Sequence, residues 1–215
     1  MPPPYCYKYP RPMVTVDLVV FALAHDGLRS LFIKRNADPF AGFWAIPGGY
    51  LEMDERIGVA ACRELEEETG LKDVKHVEQI GVFDEIDRDP RGRTISFGHA
   101  AVVGGPLPEV AGGDDAREAA WLDPAKVERL AFDHGTILDR AKDWLARSLH
   151  RDEIVFQLLP ETFRKEDVET LFRAVLGKNG RGSRWLTTHV RSGKIREIPD
   201  SPGRFRAEIK REDAT

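Results

Sequence analysis

Cysteine is nearly absent from this sequence: Cys6 and Cys62 are the two in 215 residues. Cys62 falls inside a helical pattern, so a disulfide framework is excluded and both side chains read as reduced thiols. Long apolar runs are missing as well. No stretch approaches the roughly 20 apolar residues of a membrane span, and Met1–Tyr9 is rich in proline and tyrosine without a signal-peptide apolar segment. A cytoplasmic protein with no membrane partner is therefore expected. Charge of one sign is scarce overall, with a net value of −4, but it is unevenly spread. Residues 1–160 carry 19 Lys and Arg against 27 Asp and Glu, whereas residues 161–215 carry 13 against 9. A basic appendage on an acidic body points to an anionic partner. What is present, 41% hydrophobic and 32% charged residues, suits a globular chain with one full domain and a small second one.

The prolines of residues 1–12 make an extended arm. A β-rich run from Met13 to Leu23 and a second strand at Leu31–Ile33 flank the turn at His25-Asp26-Gly27, which reads as a hairpin. An aromatic loop with Phe40, Phe43 and Trp44 then leads through a short strand to Gly48 and Gly49, which let backbone approach a phosphate closely. Trp44 reads as core; Phe40 and Phe43 are open to packing or to stacking on a base. Val77–Ile86 and Thr94–Val103 are the next strands, and residues 112–122 are a loop plus the last strand. The connector Asp87–Arg93 holds Arg88, Arg91 and Arg93. It reads either as an ordinary charged loop or as forked guanidinium contacts to a phosphate. Asp133 suits the N-cap of an amphipathic helix reaching about Leu149, and His134 reads as a hydrogen-bonded histidine at that helix start or as a base.

The densest information lies between Gly49 and Leu71. Asp54 is a candidate N-cap, and Gly70 sits where a glycine ends a helix of about fifteen residues. Ile57, Ala60, Ala61, Glu64, Leu65 and Glu68 share one stripe, which puts two glutamates at core positions. Glu67 falls on the edge of that face and Glu66 points away. Three converging carboxylates repel one another and lose hydration, so they call for a proton, a pairing partner or a cation. Hard divalent ions, Mg²⁺ or Mn²⁺, suit oxygen donors best.

These residues carry a resemblance. Gly49, Glu55, Arg63-Glu64-Leu65, Glu67-Glu68 and Gly70-Leu71 fit the Nudix box, G-x5-E-x7-R-E-U-x-E-E-x-G-U with U apolar, at every position. The resemblance implies an α+β fold, an α/β/α sandwich with a mixed sheet over residues 13–150, in which Mg²⁺ (or Mn²⁺) is held against the diphosphate of a nucleoside diphosphate derivative. It implies Glu64, Glu67 and Glu68 as metal ligands, Glu68 and Glu64 as catalytic groups, and Glu55, Arg63 and Gly49 as their support. Glu118 is a further candidate for the general base. RDPRGRTIS is similar to the matching loop of ADP-ribose pyrophosphatases in the family, which supports Arg88, Arg91 and Arg93 as substrate contacts; Gly48, by backbone approach to a phosphate, and Phe40, by stacking on a base, are the other candidates. Hydrolysis of ADP-ribose to AMP and ribose 5-phosphate is the implied reaction.

Residues 151–215 read as a second module. Arg164–Leu176 is a helix ending at Gly177, Ser183 caps a second helix through Val190, and Lys194–Ile198 and Phe205–Ile209 are two short strands. That order matches a small winged-helix-like domain, with a basic structural cap or dimerisation module as the other reading. Arg181, Arg184, Arg191, Lys194, Arg204 and Arg206 would face phosphates of double-stranded DNA. LLPETF and LFRAVLG resemble the C-terminal domain of Nudix-related transcriptional regulators of nicotinamide-cofactor metabolism. That resemblance implies the alternative function, an ADP-ribose-sensing DNA-binding regulator, and a homodimer.

Overall fold

The computed structural model describes residues 7–113 and 116–208. Residues 1–6 of the expected arm, with Cys6, therefore lie outside the described residues, as do Asp114 and Asp115 of the 112–122 loop and Ile209 with the residues after it.

Strand β1 (Met13–Ala24) is the axis of the molecule. It pairs antiparallel with β2 (Gly27–Arg35) through a tight His25-Asp26 turn, and the second strand of the hairpin is longer than its apolar centre alone indicates. A two-residue strand, β3 (Trp44–Ala45), adds to β2, and β4 (Gly48–Tyr50) pairs with the start of β1. After helix α1 (Ile57–Thr69) come β5 (Lys75–Phe83), β6 (Thr94–Val102) and β7 (Ala116–Leu122), then helix α2 (His134–Ser148). The sheet is mixed and seven-stranded: β6 runs parallel to β1, and its other neighbours are antiparallel.

Eight successive residues of β1, Val16 to Leu23, are buried, as they must be when both faces of a strand are covered. The two-residue period sorts them. Val16, Leu18, Val20 and Ala22 pack with Ala60, Ala61 and Leu65 of α1, while Val19, Phe21 and Leu23 pack with Ile137, Leu138 and Leu145 of α2. This is the expected sandwich. One expected strand is displaced: β5 stops at Phe83 rather than Ile86, because the carbonyls of Asp84 and Glu85 accept Arg93 Nη1 at 2.7 and 3.2 Å.

The caps expected for α1 and α2 do not form. Helix α1 begins at Ile57 with Arg56 at the N-cap position and no acidic residue in its first turn, so Asp54 caps nothing. Glu55 closes the preceding turn instead, accepting the Glu52 N–H at 2.9 Å. Asp133 does stand at the N-cap position of α2, but its carboxylate is held by Arg88 and makes no cap bond. Gly70 ends α1 as expected, with φ 73° and its N–H on the Glu66 carbonyl at 2.8 Å.

The C-terminal segment contains helix α3 (Asp152–Leu158), strand β8 (Thr162–Arg164), helix α4 (Lys165–Leu176), a 3₁₀ turn, helix α5 (Gly182–Arg191), and strands β9 (Ile195–Glu197) and β10 (Arg204–Ala207). Helix, helix and hairpin follow in the expected order, with β8 added as a third strand in the order β8-β10-β9. Ser183 is not a cap here: α5 starts one residue earlier, and the Ser183 hydroxyl donates to Glu169 of α4. The expected break near residue 150 carries no change of core. One cluster of buried residues runs from Val19 and Phe21 through Leu145, Ile154 and Phe163 to Leu186 and Ile195. Helix α3 comes so close to the loop leaving β6 that a Cβ on Gly104 would lie 1.9 Å from the Gln157 carbonyl oxygen. Among the described residues no helix is long and apolar enough to cross a membrane.

Candidate active site at the glutamate-rich helix

Helix α1 packs on β1 and β4 so that Glu64, Glu67 and Glu68 line a cavity of about 360 Å³ together with Gly48, Gly49, Tyr50 and Arg63. Glu66 is outside it, paired with Lys72 at 2.7 Å. The two glycines are required by contact. A Cβ on Gly48 would lie 2.1 Å from the Val16 carbonyl oxygen, and one on Gly49 would lie 2.4 Å from Glu64 Cδ.

Arg63 is the hub of the acidic residues. It grips Glu55 with Nη2 and Nε at 2.6 and 3.0 Å, reaches Glu64 and Glu67 with Nη1 at 2.9 Å each, and donates to the Tyr50 carbonyl at 3.1 Å. Hydrogen bonds from Arg63 hold the Glu55 carboxyl below its ordinary value, and the same contacts raise Arg63. Burial pushes Glu64 up against the opposing pull of Arg63. Glu68 is a different case. Its carboxylate accepts the Gly48 N–H at 2.9 Å, and burial, reinforced by Glu64 and Asp17, pushes it up to about 8.

Does this fit a divalent cation? The cavity is lined by six carboxylates, Asp17, Glu52, Glu64, Glu67, Glu68 and Asp89, against four guanidiniums, Arg35, Arg63, Arg88 and Arg91. With every group ionised the surplus is two negative charges, the donors are hard oxygens, and the most deeply buried box carboxylate, Glu68, hydrogen-bonds the Gly48 N–H rather than a cation. The residues fit. They are not gathered in advance: among the described residues no three acidic, histidine or cysteine side chains cluster closely enough to hold an ion as they stand. The reason is that Arg63 occupies Glu64 and Glu67 while Glu68 is turned onto Gly48, so a cation competes with Arg63 for its ligands.

The arginine connector divides. Arg88 lines the cavity and is buried, in a bidentate pair with Asp133 at 2.6 and 2.9 Å and 3.7 Å from Asp17, so its guanidinium also braces the frame of the site. Arg91 lines the cavity, held by Asp89 at 2.7 Å. Arg93 does not line it, because it is bound to backbone carbonyls at the end of β5. Phe40 stands beside the cavity rather than in it, edge-on to Phe132 with ring centroids 4.8 Å apart. Glu118 sits on β7, 3.7 Å from Lys34, outside the cavity.

Sequence reasoning passed over Asp17, Arg35, Asp89 and Phe132. Asp17 carried a signal, since it is the one charged residue in the apolar run of β1, and a buried charge needs partners. It has them: the Ser96 hydroxyl donates to Oδ2, and His134 Nε2 stands 3.4 Å from Oδ1. His134 Nδ1 accepts the Ile46 N–H at 2.9 Å, so the ring is neutral with its proton on Nε2, and burial lowers its basicity further. His134 is thus the hydrogen-bonded histidine at a helix start.

Comparison with known proteins decides the family. The NUDIX domain model matches residues 12–144. The chain belongs to the Nudix family. Its Nudix domain is 41% identical, over 138 residues covering 63% of this chain and 76% of the relative, to an ADP-ribose pyrophosphatase of Methanocaldococcus jannaschii. A longer match, 28% identical over 196 residues, covers 90% of this chain and 78% of an ADPR responsive transcriptional repressor, NtrR, of Acinetobacter baylyi. Among solved structures, a MutT/nudix family protein from Enterococcus faecalis superposes with a TM-score of 0.78 at 26% identity, covering 95% of this chain and 89% of that one. The matches to the Acinetobacter baylyi relative and to the Enterococcus faecalis structure extend beyond the Nudix domain over most of the C-terminal module.

Proposed function

We propose that this protein is a divalent-metal-dependent Nudix hydrolase that cleaves the diphosphate of a nucleoside diphosphate sugar, ADP-ribose foremost. The observation that carries the reading is the convergence of Glu64, Glu67 and Glu68 on one cavity floored by the bare backbone of Gly48 and Gly49, with a surplus of negative charge. The pyrophosphatase from Methanocaldococcus jannaschii supports the substrate class.

Glu64, Glu67 and Glu68 would hold Mg²⁺ or Mn²⁺, which supplies charge neutralisation of the diphosphate and a lowered pKa for a bound water. Arg63, anchored by Glu55, fixes the approach of Glu64 and Glu67. The glycine pair leaves room for a phosphate against the backbone. Arg91, oriented by Asp89, presents a guanidinium to a phosphate or sugar hydroxyl. In the reaction the water oxygen bonds to one phosphorus, the bridging P–O bond breaks, and AMP and ribose 5-phosphate leave. We assign Glu68 as the proton acceptor because it lines the cavity floor beside Glu64 and Glu67, on the Gly48 backbone. Incubating the full chain with ADP-ribose and Mg²⁺ should release both products, and chelation should stop it. Intact ADP-ribose after prolonged incubation with both Mg²⁺ and Mn²⁺ would defeat the hydrolase reading.

A second reading rests on a separate observation. Arg181, Arg184 and Arg191 are exposed on or beside α5 and have no carboxylate partner among the described residues, whereas Lys194 is tied to Asp152 at 2.6 Å and Arg206 to Glu161 at 3.7 Å. Helix α5 with the β9–β10 hairpin is then a winged-helix reader of double-stranded DNA in a homodimer, as the name of the Acinetobacter baylyi relative supports. Binding to the protein's own promoter should exceed binding to random duplex by at least about 10³, and ADP-ribose should shift it. Equal binding of promoter and random DNA would leave a hydrolase with a structural tail.

A further inference from the structure

The chain that enters the glycine floor of the cavity, Ile46-Pro47-Gly48, has two backbone N–H groups, and one side chain holds each. Ile46 is buried, and its N–H donates to His134 Nδ1 at 2.9 Å. Pro47 has no N–H to offer. The Gly48 N–H donates to Glu68 at 2.9 Å, while the carbonyl on the other edge of the same peptide, that of Pro47, accepts the Leu18 N–H of β1 at 2.9 Å. The link between the two donors is stiff, because the proline ring fixes its own φ and restricts the residue before it. A shift of the Ile46 peptide therefore passes on to the Gly48 N–H instead of being absorbed between them.

His134 is itself held in place. It opens α2 and is buried, with its ring 5.4 Å from the Phe132 centroid and Nε2 facing Asp17 Oδ1 at 3.4 Å. Asp17 in turn accepts the Ser96 hydroxyl and lies 3.7 Å from Arg88. With the ring proton on Nε2, the Nδ1 lone pair is aimed at Ile46. Arg63 orients Glu64 and Glu67 directly, whereas Glu68 takes its orientation from backbone. We infer that His134 is a positioning residue for Glu68: through the Ile46 N–H it fixes the peptide whose N–H orients the Glu68 carboxylate. In this way α2, on the opposite side of the sheet from α1, sets how well the glutamates take a divalent cation.

This inference rests on the reading of Glu68 as a metal ligand, and the test separates the two. Three variants of the full chain are compared. His134→Leu removes the acceptor, His134→Asn returns an oxygen on Cγ where Nδ1 stood, and His134→Gln carries its amide one bond farther out. Amide exchange followed by NMR on metal-free protein reads the positioning without any ligand. The Leu and Gln variants should exchange the Ile46 and Gly48 amides about tenfold faster than the wild type, with the Val20 and Leu65 amides unchanged, and the Asn variant should restore slow exchange. Titration with Mn²⁺ then reads the consequence. Affinity should fall by about tenfold or more in the Leu and Gln variants, as when a group supporting a metal ligand is lost, and return in the Asn variant. Should the Leu variant not fold, the Asn and Gln pair carries the comparison. Unchanged Gly48 exchange, or Mn²⁺ affinity equal across the variants, would overturn the positioning role and leave the hydrolase standing. A wild-type chain that takes up no Mn²⁺ defeats the hydrolase reading instead, and Gly48 exchange then decides the positioning role alone.

Discussion

Replacing Gly49 by alanine tests whether Glu64 is positioned by bare backbone. The added Cβ would lie 2.4 Å from Glu64 Cδ and 2.5 Å from both carboxylate oxygens, whereas ordinary contact begins at 3.4 Å. The carboxylate must therefore retreat by about 1 Å, and a misplacement of that size at a reacting centre costs on the order of 10²-fold in rate, or about 2.7 kcal/mol of barrier. The obstacle is the end of a flexible side chain, so the fold should survive. Gly48→Ala is the contrast. There the Cβ would lie 2.1 Å from the Val16 carbonyl and 2.9 Å from Asp17 Cα, both backbone of the central strand, and overpacking of that kind destabilises by roughly 1–3 kcal/mol or more. The assay is a pair of measurements on each variant: Tm, and kcat with ADP-ribose at saturating Mg²⁺. Gly49→Ala should keep its Tm and lose turnover; Gly48→Ala should lose both. Wild-type kcat in Gly49→Ala, or a Tm as depressed as that of Gly48→Ala, would refute the argument.

Four further outcomes follow from named contacts. Glu68→Gln should lower turnover by about 10²-fold or more with the fold intact, which kinetics beside circular dichroism can check. Because burial raises the Glu68 carboxyl to about 8, its contribution is full below the unfolded value and lost as pH rises through 8; the glutamine variant, assayed with chelator, should gain relative stability over that window. Arg88→Ala strands Asp17 and Asp133 without their cation and should cost roughly 3–5 kcal/mol in denaturant unfolding; a loss under about 1 kcal/mol would show that the pair is solvated. Burial alone would raise Asp152, but hydrogen bonds from Lys194 and His189 outweigh it and hold the carboxyl low. Its stabilisation should be present at neutral pH and lost as pH falls below about 4, so the deficit of Asp152→Asn should shrink on acidification.

The sandwich and the box helix were legible because their signals are local. Alternating burial in β1 and a nine-position pattern in α1 each lie within a single stretch of chain. What was not legible depends on partners far apart in sequence. Arg88 reads as a phosphate ligand in sequence, and only its pairing with Asp133, 45 residues on, shows that its guanidinium also braces the frame. The same pairing denied α2 its side-chain cap. Asp54 failed as a cap because Glu55 was drawn to Arg63, eight residues along. Ser183 satisfied every local rule for a cap and was taken by Glu169 of the neighbouring helix. Local propensity proposes a partner; tertiary competition for each charged or polar group decides which one it gets.

The unbroken core beneath α2, α3 and α4 bears on how such a chain is dissected or recombined. Ending it after α2 would lay bare the apolar flank on which Ile154, Leu158 and Phe163 sit, and grafting its last third onto another catalytic domain would carry away part of this one's interior. The two activities proposed here are therefore not cargo on a common tether. A substitution that loosens the far module should be felt as lowered solubility or altered turnover at the glutamates, and heat should melt the chain in one transition.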